Sequence, residues 1–218
     1  MKLIGMLDSP YVRRVAVALE CLGVAFEHEA VSVFSSFERF RGINPVVKAP
    51  TFICDDGELI MDSSLILQLV EATQTGGRSL WPRDPAEMQH DVRAVSLALA
   101  ACEKSVQTVY ERNLRPAAAQ YEPWLARLRG QLLAAYAGLE REVQRRPAAF
   151  ANPSHASITA AIAWQFTQSE LAPVVPARQH PSLAALSERM ERRPEFLKYP
   201  PVGPGVQAAG DSPEGRRP

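Results

Sequence analysis

Two short stretches place polar residues where a helix is predicted to begin. In MLDSPYVRRV, Ser9 precedes Pro10, and in MDSSLI, Asp62 precedes Ser63. Serine or aspartate at such a position caps free backbone amides, and the positive end of the helix dipole also binds anions. Ser9 is therefore either a cap or a group that stabilises an anion such as a thiolate. Asp62 and Ser63 are either a cap or a site for the ammonium and carboxylate of a free amino acid.

A third polar position lies in the loop NPVVKAP, residues 44–50. Pro50 is predicted to start a strand, where an ordinary trans proline is common. Lys48 is either a group that attracts a carboxylate or simple surface.

Apolar runs between these stretches predict the elements that position them. Their order is β-α-β-(α)-β-β-α, which is typical of a parallel βαβ unit followed by an antiparallel hairpin in one mixed sheet. The predicted elements are a strand at Lys2–Met6, a helix at Pro10–Leu22 closed by Gly23, a strand at Phe26–Val33, a helical turn near Ser36–Arg41, a hairpin of PTFIC and ELIM around Asp55-Asp56-Gly57, and a helix opened by Asp62-Ser63.

The rest of the chain predicts helices alone. A stretch rich in Gly, Pro and polar residues, 74–83, is typical of a linker, and beyond it Ala and Leu recur at helical spacing. We therefore predict a first domain over 1–73, an all-helical domain over 84–199, and a disordered tail over 200–218, which is rich in Pro and Gly. The predicted helices are Ala86–Leu114, Trp124–Arg145, Ser154–Glu170 and Ser182–Arg192.

Composition favours a cytoplasmic protein. Lys plus Arg and Asp plus Glu are both 24, so no net charge draws the chain to nucleic acid or to an acidic membrane. The three cysteines are too few and too far apart for a disulfide framework or a metal pair, and no metal is expected. No signal peptide or membrane span is apparent. Basic pairs such as Arg13-Arg14 are interpreted as solvated surface.

Taken together, these features resemble the glutathione transferase family. SPYVRRV resembles the family's catalytic corner with serine, NPVVKAP its NPxGKVP loop with a cis proline, MDSSLI its acid-serine pair, and SLWPRDPAEM its linker into the helical domain. The resemblance covers residues 1–199. It implies a thioredoxin-like α/β domain with a mixed four-stranded sheet, followed by an all-α domain.

The resemblance also implies a function and a site. Glutathione would bind at Ser9, Lys48, Ala49, Pro50, Asp62 and Ser63, and Ser9 would be the catalytic residue that stabilises the thiolate. A small hydrophobic electrophile would lie near Tyr110 and Asn113, and the protein would be a homodimer. A glutathione-dependent disulfide reductase or peroxidase, an isomerase of the maleylacetoacetate type, and a non-catalytic interaction protein of the same fold remain alternatives.

Two positions depart from the family pattern. Val47 stands where the NPxGKVP loop has glycine, and it is expected to narrow or reshape the approach to Lys48. Ser157 stands where an acid usually completes a capping box with Ser154, and it is expected to weaken that box.

Overall fold

The N-terminal part of the chain forms a mixed sheet with helices packed on it, as predicted. The computed structural model describes residues 1–74 and 76–206. Strand order is β2-β1-β3-β4, with β1 parallel to β2 and antiparallel to β3, and with β3 antiparallel to β4. The elements are β1 (Lys2–Ile4), α1 (Pro10–Leu22), β2 (Glu27–Glu29), α2 (Phe37–Ile43), β3 (Thr51–Ile53), β4 (Leu59–Met61) and α3 (Ser63–Thr73).

Helix α1 is fixed at both ends by its sequence. Ser9 caps its first turn, Pro10 is its first residue, and Gly23 ends it in the left-handed region with φ of 69°. The helix packs against the sheet and α3 on one side and against the later helices on the other. Nearly all its side chains are therefore buried, and the loop that carries Ser9 is held on a rigid support.

The remainder of the described chain is helical, as predicted. One hydrophobic cluster contains Leu3 of β1, Leu19 of α1, Ile66 of α3 and residues of every long helix that follows. The two parts therefore share one core. The helices are α4 (Pro85–Leu114), α5 (Glu122–Arg145), α6 (His155–Leu171), α7 (Pro181–Glu191) and α8 (Pro194–Lys198), with short 3-10 turns at Ala117–Ala119, Pro147–Phe150 and Ala177–Gln179.

Helix α6 runs through the middle of the helical part, and its capping box is complete. The Ser157 amide donates to the Ser154 hydroxyl at 3.2 Å, and the Ser154 amide donates to the Ser157 hydroxyl at 2.9 Å. The prediction that Ser157 weakens the capping box is therefore wrong. The Ser157 hydroxyl reaches the Ser154 amide, which is the amide that the family's acid would reach. Ser157 also donates to the Asn152 carbonyl at 2.8 Å, which a carboxylate could not do.

Arg13 and Arg14 of α1 are both buried, at 1% and 3% exposure, so the interpretation of this pair as solvated surface is wrong. Arg13 forms a bidentate ion pair with Glu191 of α7, at 2.7 and 2.5 Å, and donates to the Tyr199 carbonyl at 2.8 Å. The two arginines are buried because α1 has protein on both of its sides. Arg13 thereby connects α1 to α7 and to the residue that follows α8.

The first residues of the predicted tail contact the folded chain. The Gly205 amide donates to Asp8 Oδ2 at 2.8 Å, and Asn113 Nδ2 donates to the Val206 carbonyl at 3.5 Å. Residues 207–218 of that prediction, and Thr75 of the predicted linker, lie outside the described residues. Within 1–74 and 76–206, the helices include none that is both long and apolar enough to cross a membrane.

Candidate functional site

A cavity of about 760 Å³ lies where the first loops of the sheet domain meet α4 and α6. Its walls bring together all six residues that the family resemblance assigned to glutathione binding. These residues come from three separate loops, after β1, before β3 and after β4. They are Ser9, Lys48, Ala49, Pro50, Asp62 and Ser63.

Ser9 combines the two roles that its sequence left open. Its Oγ accepts the Val12 amide at 3.4 Å, which is the capping bond, and its side chain lines the cavity. A hydroxyl that accepts in this way still has a proton to donate. No acceptor for that proton is present among the described residues. Ser9 can therefore cap α1 and donate to a ligand atom at the same time.

Asp62 and Ser63 begin α3 at the same cavity. The Asp62 carboxylate accepts the Ser64 amide at 2.9 Å, and its φ of 75° is unusual for a residue other than glycine. Strained backbone of this kind persists only where its surroundings hold it, and it is often found at functional sites. The N-termini of α1 and α3 thus face one cavity, which favours a ligand with anionic groups.

Arg14 adds a positive charge behind the start of α3. Its Nη1 donates to the hydroxyls of Ser63 and Ser64, both at 3.0 Å, and its Nε donates to Thr159 at 2.9 Å. Within the described chain, no carboxylate lies within ion-pair distance of it. Burial lowers the pKa of Arg14 to about 10, so the guanidinium stays charged at neutral pH. A ligand carboxylate bound at Ser63 would supply the missing negative charge.

The loop before β3 supplies the remaining predicted residues. The Ala49-Pro50 bond is cis, as the resemblance implies. Lys48 lies 3.9 Å from Asp62, and both side chains are about half exposed, at 51% and 47%. This pair is weak because water screens it, so Lys48 remains available to a second carboxylate of a ligand.

Val47 holds a backbone conformation that suits glycine, with φ of 51°. A side chain in this region costs about 1–2 kcal/mol relative to the ordinary helical region. We expect Val47→Gly to be more stable than Val47→Ala by about 1 kcal/mol, because both remove the two γ-methyl groups and only glycine relieves the backbone. Urea unfolding of both variants measures the difference. A more stable alanine variant would show that Val47 is not strained.

The other side of the cavity is mostly apolar. We call the lining residues from the 31–34 segment, α4, α6 and residues 205–206 the distal wall. Tyr110, predicted for the electrophile, belongs to this wall, and its ring meets Phe34 edge-to-face at 5.5 Å. Asn113, also predicted for the electrophile, is not among the residues that line the cavity. It lies one turn beyond Tyr110 on α4 and contacts Val206 instead.

Several lining residues were missed by the sequence analysis. Tyr11, Phe34 and Phe166 carry large side chains into the cavity, and Asp8, Glu103 and Glu170 carry carboxylates. Burial raises the pKa of Asp8 and of Tyr110. The position of Asp8 directly before Ser9 was a usable signal, whereas residues on α4 and α6 gave none, because a helical repeat does not indicate which turn faces a cavity.

Comparisons with known proteins agree with this geometry. Residues 3–78 match the family model described as glutathione S-transferase, N-terminal domain. A glutathione S-transferase from Methylobacterium radiotolerans JCM 2831, solved with glutathione sulfonate, is 29% identical, with 94% of this chain and 97% of that chain covered and a TM-score of 0.85. A glutathione transferase family member from Pseudomonas fluorescens Pf-5, solved with glutathione, is 28% identical, with 93% and 99% covered and a TM-score of 0.82.

Curated relatives are matched over shorter spans. The uncharacterized GST-like protein YibF of Escherichia coli K12 is 31% identical over 132 residues, 61% of this chain and 64% of that protein. A probable maleylacetoacetate isomerase of Caenorhabditis elegans is 36% identical over 90 residues, 40% of this chain and 41% of that protein. The chain thus spans less than two thirds of the curated relatives that it matches.

Fold, sheet order and family match together define a thioredoxin-like domain followed by a helical part, which confirms the predicted fold class. Residues 3–78 belong to the glutathione S-transferase N-terminal domain family, and the chain shares the fold of solved glutathione transferases over more than nine tenths of its length.

Proposed function

We propose that the chain is a glutathione transferase that binds glutathione across Lys48, Ala49, Asp62 and Ser63 and uses Ser9 to stabilise its thiolate. The thiolate sulfur attacks a small electrophile, a carbon–sulfur bond forms, and the leaving group departs with its bonding electrons. The thiol proton passes to solvent, so Ser9 acts without a separate base. Relatives solved with glutathione or glutathione sulfonate support the ligand.

One observation carries this proposal: two helix N-termini and a lysine converge on one cavity beside an available hydroxyl proton, and the buried Arg14 guanidinium lies behind Ser63. Glutathione carries an ammonium, two carboxylates and a thiol. Asp62 suits its ammonium, Ser63 with Arg14 behind it suits the adjacent carboxylate, Lys48 suits the distal carboxylate, and Ser9 suits the sulfur.

The alternatives receive less support from the cavity. A glutathione-dependent disulfide reductase or peroxidase would use the same site with a different second substrate, and it would depend on the glutathione thiol alone, because Cys21, Cys54 and Cys102 are absent from the lining. A non-catalytic protein would have no reason to keep both Ser9 and the Asp62-Ser63 pair at one cavity. A homodimer and a cytoplasmic location remain part of the proposal, and exposed apolar side chains on α3 and α4, Leu65, Met88 and Val92, support the homodimer.

Replacing Ser63 tests the assignment of the amino-acid end of glutathione. We expect Ser63→Ala to weaken glutathione binding about tenfold, since a hydrogen bond to a charged group is worth about 1.5–3 kcal/mol. Turnover at saturating glutathione should change less than about threefold, because Ser63 would hold an end remote from the sulfur. Calorimetric titration and conjugation of 1-chloro-2,4-dinitrobenzene measure both quantities.

Ser169→Ala is the matched control for Ser63→Ala. Ser169 is an exposed serine on α6 that accepts from Gln165 at 2.9 Å, and it does not line the cavity. Equal affinities for all three proteins would rule out the assignment of Ser63. Absence of any glutathione binding by the unchanged protein would reject the proposed function itself.

A further inference from the structure

The charged side chains around the cavity are distributed unequally. On the side where glutathione is proposed to bind, Lys48 and Arg14 offset Asp62. Toward the distal wall the side chains of the lining that are charged at neutral pH are all carboxylates: Glu103 on α4, Glu170 on α6 and Asp8 before Ser9. Of the described residues that line the cavity, only Lys48 is a Lys or Arg, and it lies beside Asp62.

The partners of these three carboxylates leave a net negative charge. Glu103 accepts from Lys104 at 2.8 Å and from Gln107 at 3.0 Å, so part of its charge is compensated. Asp8 accepts the uncharged Gly205 amide. Glu170 has no Lys or Arg within ion-pair distance in the described ranges. Asp8 and Glu170 therefore act on the cavity without a cationic partner.

The remaining surface of the distal wall is apolar and aromatic. Val106 and Val109 of α4, Phe166 of α6 and the Phe34–Tyr110 pair can cover a ring or an alkyl chain. Such a surface gains free energy from apolar groups, and aromatic faces also attract cations. None of the described residues on this wall is a Lys or Arg that could pair with a substrate carboxylate, whose desolvation would therefore be costly.

Resting on the proposed glutathione transferase function, we propose that the cavity selects second substrates that are apolar and either uncharged or cationic, and that it rejects electrophiles carrying a carboxylate. Glu103, Glu170 and Asp8 determine this choice through their charge. The isomerase alternative becomes less suitable for the same reason, because maleylacetoacetate is a dicarboxylate.

Three electrophiles with one reactive centre test the proposal: 4-chloro-3,5-dinitrobenzoate, its methyl ester and its choline ester. In each, the glutathione sulfur forms a bond to the ring carbon, and chloride leaves with the electron pair of the carbon–chlorine bond. Dividing each kcat/KM by the uncatalysed rate with glutathione thiolate removes the difference in intrinsic reactivity. The substrates then differ chiefly in charge: negative, neutral and positive.

We expect the normalised kcat/KM of the methyl ester to be about tenfold higher than the value for the carboxylate. The normalised kcat/KM of the choline ester should equal or exceed the value for the methyl ester. An exposed charge a few ångström away alters an equilibrium about threefold in water-like surroundings. The double variant Glu103→Gln, Glu170→Gln should therefore reduce the ester preference about threefold to tenfold. Glu170→Lys should accelerate the carboxylate substrate, and 0.5 M salt should reduce the preference in the unchanged protein.

Glu188→Gln is the control, because Glu188 is an exposed carboxylate on α7 whose partner is Arg192 and it lies outside the cavity lining. This variant should keep the preference of the unchanged protein. Equal normalised rates for the three substrates, or an ester preference that survives in the double variant, would overturn the charge selection and leave the transferase function intact. No enzymatic acceleration with any of the three would overturn both.

Discussion

Ser9→Ala is expected to raise the pKa of the bound glutathione thiol by about one unit and to reduce conjugation at pH 7 by about tenfold. A free cysteine thiol has a pKa of about 8.5, and in the proposed function a hydrogen bond from Ser9, together with the positive end of α1, favours the thiolate. Without the hydroxyl, less thiolate is present at neutral pH. Because the thiolate fraction rises with pH, the loss should shrink as pH rises through the thiol pKa.

Thiolate absorbance, titrated with glutathione bound, measures this effect directly. Glutathione affinity should change little, and the loss of the cap on Val12 should lower the free energy of unfolding by about 1 kcal/mol. Tyr11→Phe is the matched control, because it removes a second hydroxyl of the same cavity without touching the cap. If the Ser9→Ala and unchanged titration curves coincide, Ser9 is only a cap.

Arg14→Met is expected to weaken glutathione binding about thirtyfold while lowering the free energy of unfolding by no more than about 1 kcal/mol. A charged donor near a bound carboxylate is worth about 1.5–3 kcal/mol. Stability changes less, because the variant loses hydrogen bonds to Ser63, Ser64 and Thr159 but also removes a buried charge that lacks a carboxylate partner.

The adjacent arginine provides the contrast. Arg13→Met breaks a buried ion pair with Glu191, whose side chain is 26% exposed, and should lower the free energy of unfolding by about 2–3 kcal/mol. Its effect on glutathione affinity should stay within about threefold, since Arg13 does not reach the cavity. Calorimetry and urea unfolding of both variants separate binding from stability. Equal affinity losses in the two variants would mean that Arg14 acts only through the packing of α1.

Local sequence was enough to predict the elements that carry the glutathione side of the site. Ser9-Pro10 and Asp62-Ser63 predicted where α1 and α3 begin, because capping is a local property of the chain. Strand β2 was predicted too long, as Phe26–Val33 instead of Glu27–Glu29, because side chains such as Val31 are buried in the loop that follows it. Helix α8 was missed, since five residues carry too little periodicity.

Long-range packing explains the remaining errors. Arg13 and Arg14 were interpreted as solvated because α1 was considered with one buried face, and the sequence of α1 does not reveal that α6 and α8 cover its other face. Asn113 was assigned to the electrophile from the family resemblance alone, and it contacts Val206 outside the cavity lining. Both positions depend on contacts between residues far apart in the chain.

The two sides of the cavity also differ in how freely they can evolve. Ser9 and Ser63 begin helices whose side chains form the main hydrophobic cluster, so substitutions around them disturb folding. Phe34, Val106 and Tyr110 line the distal wall, and neither hydrophobic cluster of the described chain includes them. In a saturation library at these three positions, most members should therefore remain folded while the accepted electrophile changes. New substrate ranges can then arise from few substitutions, without loss of the proposed glutathione chemistry.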